Sequence, residues 1–131
     1  MGEATESDKI IVFLDDDPNR AALQFQRMNE VDQHRTFWLR TVAETIKVLK
    51  DYRSRLDIVS IGYSLIPGGS PAHPASDQCG MEVVRMLEKS NLADYCHVRF
   101  IVHTWNDHAG TKMTNRLRAK GLRAIYVPFG S

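Results

Sequence analysis

Three consecutive carboxylates, at positions 15 to 17, follow the apolar run Ile10–Leu14 in this 131-residue chain. The run is typical of a buried parallel strand, and ligands of open α/β sheets bind beyond the carboxyl ends of such strands. Asp17 precedes Pro18, an order typical of a helix start, so Asp17 is interpreted as a cap. Asp15 and Asp16 would face the pocket, where adjacent carboxylates repel each other and need a cation or a basic partner. We expect them to hold Mg²⁺ weakly, because Mg²⁺ prefers oxygen ligands and keeps several waters.

A second group of polar residues follows another apolar run, in the segment IVHTWN at 101–106. His103 can act as a general acid or base near neutral pH, bind a metal through its neutral imidazole, or hydrogen-bond to one of the aspartates. The hydroxyl of Thr104 and the amide of Asn106 suit phosphate oxygens or a base edge, and the Trp105 indole can stack on a nucleobase. An ordinary cap, a turn and core packing would explain the same three residues without a ligand.

Strand-like and helix-like segments alternate along the chain, which predicts parallel βα units with helices on both faces of a sheet. The predicted strands are 10–14, 36–40, 56–61, 98–103 and 124–127, and the predicted helices are about 18–31, 41–52, 80–90 and 109–120. The first helix would bury Ala22, Phe25 and Met28. We expect a single domain over residues 9–131 and a flexible N-terminus over residues 1–8.

The segment SLIPGGSPAHPASDQCG, at 64–80, is rich in Pro, Gly and Ser and is too long for an ordinary βα turn. We interpret residues 66–80 as a lid over the carboxyl ends of the strands. Ser64, at the start of this segment, is placed with Thr104, Trp105 and Asn106 among the predicted ligand-binding residues.

Composition argues against several classes of partner. The chain has 17 basic and 16 acidic residues, so no global field attracts a nucleic-acid polymer or an anionic membrane. No apolar run approaches the roughly 20 residues of a membrane span. The N-terminal residues MGEATESDK are acidic and polar, unlike a secretion signal, which predicts a cytoplasmic protein with Cys79 and Cys96 as free thiols.

Five βα repeats with an acidic pair after the first strand resemble the receiver domain of two-component response regulators, over about residues 9–129. The motifs LDDDPNR, LDIVSIGYSLIPGG and VPF carry this resemblance. It implies an α/β flavodoxin-like fold, a doubly wound five-stranded parallel sheet of order 2-1-3-4-5. Gly62 stands where the family has its phosphate-accepting aspartate, and Val127 where it has an invariant lysine. Glycine has no nucleophile and valine cannot neutralise a phosphoryl oxygen, so we do not expect phosphotransfer by the usual route.

IVHTWN and the segment GMEVVRML at 80–87 are also similar to motifs of the cyclic-phosphate processing receiver domain, a divergent family associated with phage and other conflict systems. This resemblance implies that His103, Thr104 and Asn106 lie beside the acidic pocket. The third strand of that family usually ends in Asp-His-Asp, whereas this chain has Gly-Tyr-Ser at 62–64. Two acids and a histidine that would serve metal-assisted catalysis in that family are therefore absent from these positions.

Three functions remain open from the sequence. The preferred one is a binding module that holds a phosphorylated nucleotide, cyclic or linear, or a protein partner at the carboxyl ends of the strands. The second is a metal-dependent phosphoesterase that acts on cyclic or terminal phosphates through Asp15, Asp16 and His103. The third is a pseudo-receiver that docks or dimerises through its fourth helix and fifth strand, the surface that receivers commonly use.

Overall fold

The computed structural model describes residues 9–15, 18–62, 80–104 and 107–128. Within them the chain forms a parallel five-stranded sheet of order β2-β1-β3-β4-β5, which confirms the predicted fold. The strands are β1 (Ile10–Leu14), β2 (Thr36–Leu39), β3 (Leu56–Gly62), β4 (Arg99–His103) and β5 (Arg123–Tyr126). The helices are α1 (Pro18–Gln26), α2 (Glu30–His34), α3 (Val42–Asp51), α4 (Met81–Glu88), α5 (Leu92–Tyr95) and α6 (Asp107–Lys120).

The main core lies on the face of the sheet that packs against α3, α4 and α6. Because side chains alternate along a strand, every second residue of the central strands points into this layer. Each fully buried Leu, Ile, Val or Phe there contributes about 1.5–3 kcal/mol. Its buried members include Val12, Leu14, Val59, Ile61, Phe100 and Val102 from the strands, and Leu49, Val84, Leu87, Met113 and Leu117 from the helices.

The other face of the sheet has a much smaller core. Phe13 and Ala21 are buried there, and Trp38 packs against them. This cluster attaches α1 to β1 and β2.

Two predicted helix ends are confirmed with their physical causes. Thr41 precedes α3 and its hydroxyl accepts a hydrogen bond from the Glu44 amide at 3.1 Å, so it caps the helix. α6 ends at Gly121, whose φ of 104° lies in the left-handed region that favours glycine.

The first helix differs from its prediction. It ends at Gln26 rather than near Val31, and a separate helix begins at Glu30. The break occurs because Asn29 caps the second helix: its side-chain oxygen accepts a hydrogen bond from the Asp32 amide at 2.7 Å.

The predicted buried stripe of the first helix differs at one residue: Ala22 is exposed and Ala21 is buried instead, whereas Phe25 and Met28 are half-buried. The short helix α5 was not predicted. The predicted flexible N-terminus at 1–8, and the predicted lid apart from Gly80, lie outside the described residues. Among the helices described, none has the length and apolar character needed to cross a membrane.

Candidate functional site

The carboxyl ends of β1, β3 and β4 lie side by side at one edge of the sheet, as the sequence predicted. Leu14 is paired with Ile61, and Gly62 is paired with His103. Asp15, one residue beyond β1, therefore lies close to His103, the last residue of β4. We call this edge the carboxyl edge.

Three of the predicted site residues, Asp15, His103 and Thr104, are described at the carboxyl edge, and all three are buried. The predictions for Asp16, Ser64, Trp105 and Asn106 fall outside the described residues.

The Asp15 carboxylate forms a two-pronged ion pair with Arg20. Arg20 Nε donates to Asp15 Oδ2 and Arg20 Nη2 donates to Asp15 Oδ1, both at 2.8 Å. The Asp15 side chain is 2% exposed and that of Arg20 is 20% exposed, so the pair is largely removed from water. Such a bidentate pair satisfies both oxygens of a buried carboxylate and neutralises its charge.

Arg20 was not among the site residues predicted from the sequence. The sequence did contain one signal for this pair. Arg20 follows Asp15 by five residues, so an acid at a strand end is followed by a base in the next helix. It becomes meaningful once the helix start at Pro18 places Arg20 in the first turn of α1.

His103 connects Asp15 to the middle of β3. His103 Nε2 lies 3.2 Å from Asp15 Oδ2, and His103 Nδ1 lies 2.7 Å from Ser60 Oγ. The carboxylate can only accept, so His103 Nε2 donates to Asp15, and His103 Nδ1 shares a hydrogen bond with the Ser60 hydroxyl. The imidazole also stacks on Phe13, with ring centroids 4.7 Å apart and planes at 9°. The ring is thus fixed on three sides.

The backbone of Asp15 is held by β2. Its amide donates to the Leu39 carbonyl at 3.1 Å, and its carbonyl accepts from the indole Nε1–H of Trp38 at 2.6 Å. Trp38 was not among the predicted site residues. A tryptophan in a short strand is usually core, and only the sheet order brings its N–H to the end of β1.

Gly62 marks the end of β3, and its surroundings leave little room for a side chain. A Cβ built there would come within 3.1 Å of the Leu14 carbonyl oxygen and 3.2 Å of His103 Nε2. These contacts are tighter than normal, so any larger residue would require its neighbours to shift. The imidazole of His103 occupies the space beside this position.

Tyr126, another residue that sequence reasoning missed, links β5 to both ends of the connection between β4 and α6. Its hydroxyl donates to Asp107 Oδ1 at 2.5 Å and lies 3.2 Å from the Thr104 carbonyl oxygen. The hydrogen bond to Asp107, followed by burial, raises the pKa of Tyr126 to about 12. Its ring lies over Gly110, where a Cβ would come within 2.4 Å of Tyr126 Cε1. Only glycine at position 110 allows this arrangement without displacing the ring.

The predicted metal ligands are Asp15 and Asp16. Within the described residues, which omit Asp16, no three His, Cys, Asp or Glu side chains are grouped closely enough to hold a metal ion. Weak Mg²⁺ binding at this edge therefore stays a prediction.

The sequence matches the family model of the cyclic-phosphate processing receiver domain over residues 10–119. The chain belongs to this family. The match spans both the acidic end of β1 and the histidine at the end of β4, so the resemblance seen in the motifs is confirmed. No curated protein matches the sequence of this receiver domain.

Solved structures with a similar fold include receiver domains. The receiver domain of the histidine kinase CKI1 from Arabidopsis thaliana, solved as a point mutant, matches with a TM-score of 0.62 at 12% identity, covering 98% of this chain and 89% of that one. The signal receiver domain of a protein described as a LuxO repressor from Vibrio parahaemolyticus gives 0.59 at 15% identity, covering 94% and 80%. A chain from the complex of the CheA3 P1 domain with CheY6 from R. sphaeroides gives 0.55 at 12% identity, covering 95% and 84%. At these identities the likeness establishes the fold alone.

Proposed function

We propose that this receiver domain does not accept a phosphoryl group and instead binds a phosphorylated ligand, a linear or cyclic nucleotide phosphate, at its carboxyl edge. One observation carries the proposal. Gly62 occupies the end of β3, where receivers have the acceptor aspartate, and the His103 imidazole lies 3.2 Å from the position its Cβ would take. No carboxylate is present at that position to attack a phosphodonor.

The charge balance around Asp15 supports an anionic ligand. A buried carboxylate without a partner would repel a phosphate group, but Arg20 neutralises Asp15 through two 2.8 Å hydrogen bonds. The guanidinium carries five N–H donors in a planar fork, a geometry that suits carboxylate and phosphate oxygens. With Asp15 neutralised in this way, its carboxylate does not repel an anion that approaches the carboxyl edge.

The geometry of His103 favours binding over phosphoesterase activity. A general acid or base must reach the substrate proton directly or through one water. Both ring nitrogens of His103 lie within hydrogen-bonding distance of protein groups, Asp15 at 3.2 Å and Ser60 at 2.7 Å. The imidazole is therefore held as part of the protein's own hydrogen-bond network.

Magnesium would have to compete with Arg20 for Asp15. Both carboxylate oxygens already accept a hydrogen bond from the guanidinium. A divalent cation at this carboxylate would share its oxygens with the positively charged Arg20 guanidinium, which agrees with the weak affinity predicted from the sequence.

The experiment is a thermal-shift panel of mono-, di- and cyclic nucleotides and inorganic phosphate, with and without Mg²⁺, combined with chromatographic analysis of products. Binding to the native state raises the melting temperature. We expect at least one phosphorylated compound to stabilise the protein and to be recovered unchanged.

Arg20→Gln should abolish that ligand-induced shift. Arg27→Gln should not, because Arg27 forms no ion pair within the described residues. Recovery of a hydrolysed product would instead support the phosphoesterase. The absence of any shift across the panel would leave the docking function as the better explanation.

A further inference from the structure

The groups around the Asp15 carboxylate already supply the positive charge that a divalent cation would supply there. Asp15 is 2% exposed, and a carboxylate so deeply buried needs a positive partner. Arg20 is that partner, because its guanidinium donates to both carboxylate oxygens at 2.8 Å. Since a guanidinium is always charged in proteins, this positive charge is permanent.

The oxygens of Asp15 are largely engaged by hydrogen bonds. Oδ2 accepts two, from Arg20 Nε at 2.8 Å and from His103 Nε2 at 3.2 Å. A carboxylate oxygen has two lone-pair directions, so Oδ2 has none left for a metal ion. Oδ1 accepts from Arg20 Nη2 at 2.8 Å, which leaves at most one direction on the whole carboxylate.

His103, the other residue at this edge that could bind a metal, is engaged in the same way. An imidazole binds a metal through the lone pair of a ring nitrogen. Its Nε2 donates to Asp15, and its Nδ1 lies 2.7 Å from the Ser60 hydroxyl oxygen. The ring also stacks on Phe13, with planes at 9°, and a rotation toward a metal would break that contact. These described groups therefore do not fit Mg²⁺, which requires near-octahedral oxygen ligands.

The backbone positions both members of the ion pair. The Asp15 amide donates to the Leu39 carbonyl at 3.1 Å, and the Asp15 carbonyl accepts from Trp38 Nε1 at 2.6 Å. Arg20 lies in the first turn of α1, which begins at Pro18, and the fixed φ of proline suits a helix start. β2 therefore fixes the acid, and the start of α1 fixes the base.

A guanidinium can do for a phosphate group part of what Mg²⁺ does. Its N–H donors form a planar fork that suits phosphate oxygens, and a chelator cannot remove it because it is attached to the chain. The Arg20 side chain is 20% exposed, so an anion at the carboxyl edge can reach part of it. Mg²⁺ has to be drawn from solution and loses its bound water reluctantly.

We infer that Arg20 serves in place of a divalent cation at the carboxyl edge, so that this edge folds, and binds a phosphorylated compound, without Mg²⁺. The statement on ligand binding rests on the proposed function. The statement on the fold does not, because it depends only on the groups that contact Asp15.

The first test compares melting temperatures of the protein alone in EDTA and in millimolar Mg²⁺. The wild type should melt at the same temperature in both. Arg20→Gln should melt at a lower temperature in EDTA and recover part of the loss in Mg²⁺, because Asp15 then needs another cation. Arg20→Lys keeps the charge and should not respond to Mg²⁺. Arg27→Gln is the matched control and should behave like the wild type, since Arg27 forms no ion pair within the described residues.

A second test locates any cation with Mn²⁺, which takes the same type of oxygen site as Mg²⁺ and broadens the signals of nearby nuclei. In isotopically labelled wild type we expect no selective broadening of the amides at the ends of β1, β3 and β4. Arg20→Gln should show that broadening, with an affinity for Mn²⁺ about tenfold or more above that of the wild type, because a nearby positive charge has been removed. The double variant of Asp15→Asn with Arg20→Gln should lose it again.

The third test concerns ligand binding and uses inorganic phosphate, adenosine monophosphate and its cyclic form. Whichever of these compounds raises the melting temperature of the wild type should raise it equally in EDTA and in Mg²⁺. Arg20→Lys should show a smaller rise that is also equal in both conditions, because lysine keeps the charge but lacks the fork.

Several results would overturn the inference. Stabilisation of the wild type by Mg²⁺ is one, and an equal Mn²⁺ response of the wild type and Arg20→Gln is another. A phosphate-induced rise in melting temperature that disappears in EDTA is a third. If Arg20→Gln does not fold, the wild type and Arg20→Lys still give a decision. If none of the three compounds binds in either condition, the proposed function fails, whereas the measurements on the protein alone still decide whether Arg20 replaces the cation.

Discussion

Replacement of Arg20 by alanine should destabilise the fold, because it leaves the Asp15 carboxylate buried without its bidentate partner. Breaking a fully buried ion pair by removing one member costs about 3–5 kcal/mol. The Arg20 side chain is 20% exposed, so water can replace part of the interaction. We therefore expect Arg20→Ala to lower the free energy of unfolding by about 2–4 kcal/mol.

Urea unfolding of four proteins measures this interaction as a double-mutant cycle. The set is the wild type, Arg20→Ala, Asp15→Asn and the double variant. Once position 15 carries no charge, removal of Arg20 should cost much less, which gives a coupling energy of about 2 kcal/mol. Arg27→Ala is the matched control, because Arg27 is an arginine near the end of α1 without an ion pair among the described residues.

Magnesium provides a second readout on the same variants. If Arg20 and the cation compete for Asp15, Arg20→Ala should be stabilised by Mg²⁺ more than the wild type is. A loss below about 0.5 kcal/mol in Arg20→Ala, within the range of ordinary surface substitutions, would refute the reasoning. An equal response of both proteins to Mg²⁺ would place any cation elsewhere.

Further predictions concern the ends of β3 and β5. Incubation with acetyl phosphate and Mg²⁺ should give no phosphoryl adduct by intact-mass analysis, whereas a stoichiometric adduct on any aspartate would contradict the role assigned to Gly62. Gly62→Asp should lower the free energy of unfolding by about 1–3 kcal/mol in urea, because its Cβ would come within 3.2 Å of His103 Nε2. It should remain unphosphorylated, since Val127 replaces the lysine; an adduct would show that the aspartate alone suffices. Tyr126→Phe should melt at a lower temperature than the wild type at neutral pH, because it loses the hydrogen bond to Asp107. Since that bond raises the pKa of Tyr126 from 10.0 to about 12, its contribution is complete below pH 10 and is lost as the pH rises to about 12. If the stability of Tyr126→Phe fell between pH 10 and pH 12 as much as that of the wild type does, another titrating group would be responsible for that fall.

The order of elements and most of their limits were predictable from the sequence, because they depend on local patterns. Apolar runs predicted the five strands, and Thr41 and Gly121 predicted the ends of two helices. The break after Gln26 was missed, since the cap at Asn29 lies inside a pattern that continues at helical spacing.

The approach of Asp15 to His103 was also predictable, given the family's strand order. Both residues follow apolar runs, and parallel strands bring their carboxyl ends to one edge of the sheet. The sequence left open whether the histidine would serve a ligand or the aspartate. The tertiary structure places its two ring nitrogens against Asp15 and Ser60.

Tertiary structure alone decided which partners satisfy the buried polar groups. Arg20 looked like one of several surface arginines until the start of α1 brought it to Asp15. Ser60 and Tyr126 resembled ordinary strand residues, and their partners lie 43 and 19 residues away in the chain. The exposure of Ile125, 51% within the described residues, could not be predicted either, because its apolar character is that of a buried strand residue. Burial depends on which helix packs above a side chain, and the sequence of the strand does not contain that information.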